Sequence, residues 1–198
     1  MASRRLGVGM APERPSPADL LAQRPDWETY FMDMARLASR RSSCHRRAVG
    51  AVIVKDKRLL TTGYNGNPPD FEHCATMGCI REMLNVPSGA HHELCTGLHA
   101  EQNAIIQAAT TGVAIAGATL YTTTFPCVTC AKMIMAARIS EVVYDEGYPD
   151  ELGRFMLARS SIHVRKFGEP IPEPLEKTTT RELVGVIAQM ASVPNPRR

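Results

Sequence analysis

A chain of 198 residues is the size of one ordinary domain, long enough to bury a real core. With 44% hydrophobic and 22% charged residues it is globular in composition rather than disordered, and its net charge of +3 permits an anionic substrate but is too mild for a nucleic-acid surface. No apolar run reaches membrane-spanning length, and Arg4 and Arg5 are followed by no apolar signal region, so neither a membrane nor a secretory role is expected. In a cytoplasmic chain the six cysteines stay reduced, which turns them toward metal rather than disulfides.

Residues 1–24, rich in Arg, Pro and Ala, read as a flexible arm. A helix should begin near Asp26, with Trp27, Tyr30, Phe31, Met34 and Leu37 at helical spacing; that stripe is expected in the core. Val49–Val54 and Arg58–Tyr64 read as a hairpin around Lys55-Asp56-Lys57, and Gly63-Tyr64-Asn65-Gly66 turns into a long segment, 67–95, without strand patterning. His99 opens the next helix, which Ala104, Ile105, Ala108 and Ala109 carry to about Thr111. Ala118–Thr123 is a strand, Cys127–Arg138 a helix, Glu141–Tyr144 a strand, Asp150–Ala158 a helix and Ile162–Arg165 a last strand. Alternating strands and helices after residue 98 imply an α/β sandwich with adjacent parallel strands. The domain therefore spans 25–167. Beyond it, a Pro-rich stretch leads into a tail, 168–198, whose short amphipathic helix, Thr180–Met190, is suited to packing on the body or on a second subunit.

The chemistry concentrates in two places: His99-Ala100-Glu101 and Pro126-Cys127-Val128-Thr129-Cys130. One imidazole and two thiolates fill three positions of a zinc site and leave the fourth for water, as a catalytic site requires. Two thiolates cancel the charge of the ion, so the bound water is acidified less than in a three-His site, and a base is needed; Glu101 is the candidate. On an ideal helix it lies about 200° around the axis from His99, a placement that suits substrate better than metal. A helix beginning at Cys127 favours thiolate over thiol. A lone CxxC also fits a redox pair or half of a structural zinc site, but a redox pair leaves His99 and Glu101 without work.

Cys44, Cys74, Cys79 and Cys95 remain, with His73, His91 and His92 near them in sequence. A structureless segment as long as 67–95 is uncommon unless it is tied down. A second, structural zinc on Cys44, Cys74, His92 and Cys95 would do this, with Cys79 able to replace one member; reduced, partly buried thiols are the alternative.

Several motifs occur in one order: Arg24-Pro25-Asp26-Trp27, Val49-Gly50-Ala51-Val52-Ile53-Val54, Gly63-Tyr64-Asn65-Gly66, His92-Glu93-Leu94-Cys95, His99 to Ile105, Pro126 to Lys132, and Gly147-Tyr148-Pro149-Asp150. Over about 25–166 the chain resembles the deoxycytidylate deaminases of the cytidine deaminase superfamily, whose signature is H-x-E with P-C-x-x-C. The resemblance implies a three-layer αβα sandwich with a five-stranded mixed sheet, a homohexamer, and zinc-dependent conversion of dCMP to dUMP that feeds dTTP synthesis. It further implies activation by dCTP and inhibition by dTTP, with Gly63, Tyr64, Asn65 and Gly66 in or near the effector contacts; Mg2+ could accompany such a nucleotide. A phage branch with a second zinc at positions matching Cys44 and Cys74 supports the second site. Some members carry a basic residue near the end of the catalytic helix, where this chain has Thr110-Thr111.

For the substrate, Asn65 is suited to sugar hydroxyls, Phe125 to the base, Tyr148 to stacking or hydrogen bonding, and Arg46 and Arg47 to the 5′-phosphate. The competing roles are a turn Asn, core aromatics and a solvated basic surface. A deaminase of free cytidine would need neither the 67–95 segment nor a phosphate clamp, and an RNA-editing enzyme should be more basic and aromatic. A zinc-stabilised interaction module is the non-enzymatic alternative.

Overall fold

The computed structural model describes residues 16–170 and 179–191. In chain order the elements are α1 (Pro17–Ala22), α2 (Trp27–Ser39), β1 (Gly50–Lys55), β2 (Arg58–Tyr64), α3 (Cys74–Met77), α4 (Ile80–Met83), a 3-10 turn (His92–Leu94), α5 (Ala100–Thr111), β3 (Thr119–Thr124), α6 (Val128–Ala136), β4 (Glu141–Glu146), α7 (Glu151–Ala158), β5 (His163–Lys166) and α8 (Thr180–Ala191). No described helix is long and apolar enough to cross a membrane.

The β1–β2 hairpin forms because Asp56 and Lys57 both take positive φ (+50° and +58°), the turn geometry that matches strand twist. The strands order as β2-β1-β3-β4-β5, antiparallel among the first three and parallel from β3 to β5, a five-stranded mixed sheet. Alternation along the strands divides the core. Val52, Val54, Tyr121 and Val143 meet Phe31, Met32 and Ala35 of α2 on one face, while Ala51, Ile53, Leu120 and Val142 meet α5 and α6 on the other. The result is the expected three-layer sandwich.

The stripe on α2 differs from its expectation. Phe31, Met32 and Ala35 are buried, whereas Trp27 and Tyr30 are 41% exposed and Leu37 is 62% exposed. Gly50 decides the seat of the helix: a Cβ there would stand 2.0 Å from the Ala35 carbonyl oxygen, so backbone meets backbone and the helix turns its small residue to the sheet. Trp27 and Tyr30 pack on Phe31 and on one another instead of entering the core. Arg165, on β5, fastens α2 to the sheet through Glu28 (2.6 Å) and Glu141 (2.8 Å).

Two further differences concern the irregular regions. Within 1–24, expected to lack structure, Ser16 and Asp19 form a capping box and start α1, none of whose residues is buried. The 67–95 segment carries two four-residue helices and the 3-10 turn rather than lacking structure. The tail helix extends over Thr180–Ala191 and packs on α7, with Leu183 buried. The stretch 171–178 and Met190's side chain lie outside the described residues.

Candidate active site

Two helix starts build the centre. His99 immediately precedes α5 and Cys127 immediately precedes α6, so each stands at the N-cap of its helix, and Cys130 follows one turn into α6. Each neighbourhood is held by its own bonds. The His99 amide donates to Gln102 Oε1 (2.7 Å). Gly66 and Leu98 exchange backbone hydrogen bonds just ahead of His99 (3.1 and 2.9 Å). Gly63 lets α5 lie against β2: a Cβ on it would stand 2.1 Å from the Ala100 carbonyl oxygen. On the other side Asp150 accepts from Val128 N (3.0 Å) and Gly153 N (2.7 Å), so one buried carboxylate ties the starts of α6 and α7 together.

These supports bring three ligand atoms together. His99 Nδ1 lies 3.3 Å from Cys127 Sγ and 3.4 Å from Cys130 Sγ, and the two sulfurs are 3.6 Å apart. Tetrahedral zinc at its usual bond lengths asks for about 3.8 Å between sulfurs and about 3.6 Å between sulfur and nitrogen. The triangle fits that ion with slight opening.

The charge state fits as well. A hydrogen bond from the Cys130 thiol holds Cys127 down to about 3, helped by His99 and opposed by burial. The same bond, then burial, pushes Cys130 well above its ordinary value. Burial works against protonation of His99, but the hydrogen bond and charge of Cys127 outweigh it and raise the imidazole. Without metal the pocket therefore favours one thiolate beside a protonated imidazole, and a dication would displace the protons. Glu101 is 3% exposed, and burial raises its carboxyl, with His99 opposing. A carboxyl so placed suits a group that takes up and returns a proton.

His99, Glu101 and Cys127 open on a cavity of about 250 Å³ that also meets Asn65, Arg46, Arg47, Phe125 and Tyr148. All five sequence-nominated substrate residues therefore border one space with the triangle, although most have other work. Asn65 accepts from Val49 N and donates to the Arg47 carbonyl, both at 2.8 Å, which shapes the loop that bears the two arginines. Phe125 is buried edge-on to Tyr144, with Arg154 over its ring. The Tyr148 hydroxyl accepts from Gly89 N (3.1 Å), and Arg47 lies over its ring. Of the turn nominated for effector contacts, Gly63 lies beneath α5 and Gly66 is bridged to Leu98, while Tyr64 is exposed under Arg41.

The four other cysteines line the same cavity, none in a disulfide. Among the described residues, sets of ligand atoms within 4.8 Å of one another are His99–Cys127–Cys130 and His92–Cys127–Asp150; Cys44, Cys74, His92 and Cys95 do not form such a set. His92 lies toward the triangle rather than the cysteines, its ring edge-on to His99 at 5.4 Å and its Nε2 3.2 Å from the Tyr148 hydroxyl. The 3-10 turn that follows His91, itself at φ +48°, separates it from Cys95.

Sequence reading missed the reach of Asp150 and the role of Arg81, a buried guanidinium on the cavity wall. Asp150 is legible as the N-cap of α7; its second bond, to α6, crosses 22 residues and leaves no local trace. Arg81 sits in a segment with no periodic pattern to mark it as internal.

A mixed five-stranded α/β sandwich with a His-Cys-Cys triangle at two helix starts, and a buried Glu beside it, defines the zinc-dependent nucleotide deaminases as a class. The profile of the cytidine and deoxycytidylate deaminase zinc-binding region matches residues 25–146, and the chain belongs to that family. It is 43% identical over 145 residues to the deoxycytidylate deaminase of Saccharomyces cerevisiae, covering 73% of this chain and 46% of the yeast protein. The deoxycytidylate deaminase of Mycobacterium phage D29 is 42% identical over 126 residues, covering 61% of this chain and 95% of the phage protein. The dCMP deaminase of cyanophage S-TIM5, solved in complex with dCMP and dUMP, superposes with a TM-score of 0.59 at 31% identity, over 73% of this chain and 98% of that one. The chain spans about half the length of its two yeast relatives, with 46% of one and 50% of the other covered.

Proposed function

We propose that this protein is a zinc-dependent hydrolase that deaminates dCMP to dUMP with release of ammonia. One observation carries the reading: the His99–Cys127–Cys130 triangle, with buried Glu101 beside it, opens on a single cavity that Arg46 and Arg47 also line. The names of the relatives supply the nucleotide; this chain's cavity supplies room for it and cations for its phosphate.

His99, Cys127 and Cys130 would hold the ion, which lowers the pKa of a bound water and so supplies a nucleophile at neutral pH. Glu101 accepts a proton from the attacking water as oxygen adds to C4 of cytosine. It returns that proton to N3, then takes the proton of the new C4 hydroxyl and passes it to the amine, which leaves as ammonia as the C4 carbonyl forms. A carboxyl whose burial raises its pKa is matched to both directions of transfer. The donors on Asn65 and the ring of Tyr148 orient the nucleotide, and Arg46 and Arg47 draw its phosphate into the cavity.

A second zinc is part of this reading. Cys44, Cys74 and Cys95 would hold it, with His92 or the alternate Cys79 as fourth ligand, and closing the set asks for side-chain rotation. Support comes from four unpaired cysteines on one cavity wall and from Cys95, whose thiol burial raises further in company with the charges of Cys44 and Cys74. Activation by dCTP, inhibition by dTTP, a magnesium-bearing effector, a homohexamer and a cytoplasmic place in dTTP supply complete the reading, and the family resemblance supports them.

Ammonia release from dCMP, dCTP, deoxycytidine and RNA, each with and without dCTP or dTTP, is the direct test. We expect dCMP to be the preferred substrate and Glu101→Gln to lower turnover by about 10²–10⁴-fold with zinc retained. Retained turnover would refute the role of Glu101. Bound zinc with no ammonia from any cytosine nucleotide would instead mark a zinc-stabilised interaction module.

A further inference from the structure

Arg81 is a charged side chain only 6% exposed, and it lines the cavity that also holds His99, Glu101 and Cys127. Its Nη2 donates to the carbonyls of Pro87 and Ala90, and its Nε is buried with no acceptor. Among the described residues no carboxylate lies within ion-pair distance of it. Burying a cation without an anion is costly, so the arrangement persists in a form that the free protein alone does not justify.

Two other arginines of the same lining repeat the pattern. Arg46 also borders the cavity with a buried Nη1 that has no partner, and Arg47, which lies over the Tyr148 ring, has as its carboxylate contact a long one, 3.7 Å, to exposed Glu146. Three arginines thus line one cavity, two of them with buried donors unused. That space calls for a compact anion carrying more than one charge, which a phosphate monoester supplies and a nucleoside does not.

Resting on the dCMP reading above, we propose that Arg81 is a substrate-binding residue that grips the 5′-phosphate together with Arg46 and Arg47 and sets the preference for monophosphate over nucleoside. Its second task follows from its bonds. The loop whose carbonyls it holds carries Ser88 to the cavity wall and is joined to Tyr148 through Gly89 N, so phosphate on Arg81 also steadies that side of the site.

The test compares dCMP with deoxycytidine in wild type, Arg81→Gln and Arg81→Lys, with zinc content measured in each. The ratio of kcat/KM for dCMP to that for deoxycytidine should fall about tenfold to a hundredfold in the variants, through the KM for dCMP. Inorganic phosphate should compete with dCMP and raise the thermal midpoint of wild type, and both effects should weaken by a similar factor in Arg81→Lys. This conservative variant keeps a donor for the Pro87 and Ala90 carbonyls and serves as the test where Arg81→Gln does not fold. Equal losses for dCMP and deoxycytidine would reduce Arg81 to a loop anchor, loss of zinc would make a thiolate its missing anion, and no phosphate effect on wild type would remove the subsite; each overturns the proposal. A wild-type protein that turns over deoxycytidine as well as dCMP overturns the dCMP reading itself, before Arg81 is changed.

Discussion

Two groups of cysteines lie at or beside one cavity, and they are held in different ways. Cys127 and Cys130 stand at the start of a nine-residue helix, seated by Asp150, opposite a His at the start of a twelve-residue helix. Their ligand atoms lie within 3.6 Å of one another. Cys44, Cys74, Cys79 and Cys95 come from a loop, two four-residue helices and the end of a 3-10 turn, and no three of them bring their sulfurs within 4.8 Å of one another. Regular elements that pack on a sheet fix ligand geometry before any metal arrives, whereas short turns have too few internal bonds to do so. The first group is preorganised; the second is not.

Metal content offers the widest break between the two. Cys127→Ser should remove the catalytic ion and all turnover, while Cys74→Ser should lower a total of about two zinc ions per chain to about one and cut thermal stability. Zinc near one per chain, unchanged in Cys74→Ser, would leave the loop cysteines as plain thiols. Next in size, Gly63→Ala forces a methyl group to 2.1 Å from the Ala100 carbonyl oxygen. Denaturant unfolding should show a loss of about 3 kcal/mol, with weaker zinc binding as α5 is pushed from the sheet. An unaltered midpoint would mean that α5 is free to shift.

Asp150→Ala leaves Val128 N and Gly153 N without acceptors and should cost about 2 kcal/mol. Chelator competition should show it releasing zinc faster, and a variant as retentive as wild type would make Asp150 a helix cap only. The smallest effect is electrostatic. In chelator-stripped protein, ultraviolet thiolate absorbance should show one of the pair already ionised at neutral pH, because Cys127 is held at about 3. Cys130→Ala removes the largest cause and should move that titration upward, toward the ordinary thiol value. Taken alone, a thiol depressed in the folded state stabilises fully above its unfolded pKa of about 9 and loses that contribution as pH falls toward 3. The stripped single variant should therefore lose less stability on acidification than the stripped parent.

The legibility of the chain follows the same divide. Strands and long helices fall within a residue or two of their sequence expectations because alternation and helical period are local signals. The α2 stripe misled because Trp27, Tyr30 and Leu37 share helical spacing with Phe31, yet the seat is decided by Gly50, on another element. His92 reads as a companion of Cys95 three residues on, yet its ring lies against His99. Arg81 gave no signal, since nothing local marks an arginine as buried.

By itself the sequence determined the sandwich, its mixed sheet and the residues of the candidate site: His99, Glu101, Cys127 and Cys130 occur at a spacing that few other chemistries use. Tertiary structure alone decided how those residues meet, which face of α2 is core, that Asp150 joins two helix starts and that Arg81 is buried on the cavity that Arg46 also lines. The reason is range. Periodicity and caps act within a few residues of chain, while burial, cavity walls and unpaired charge exist only once distant segments have packed.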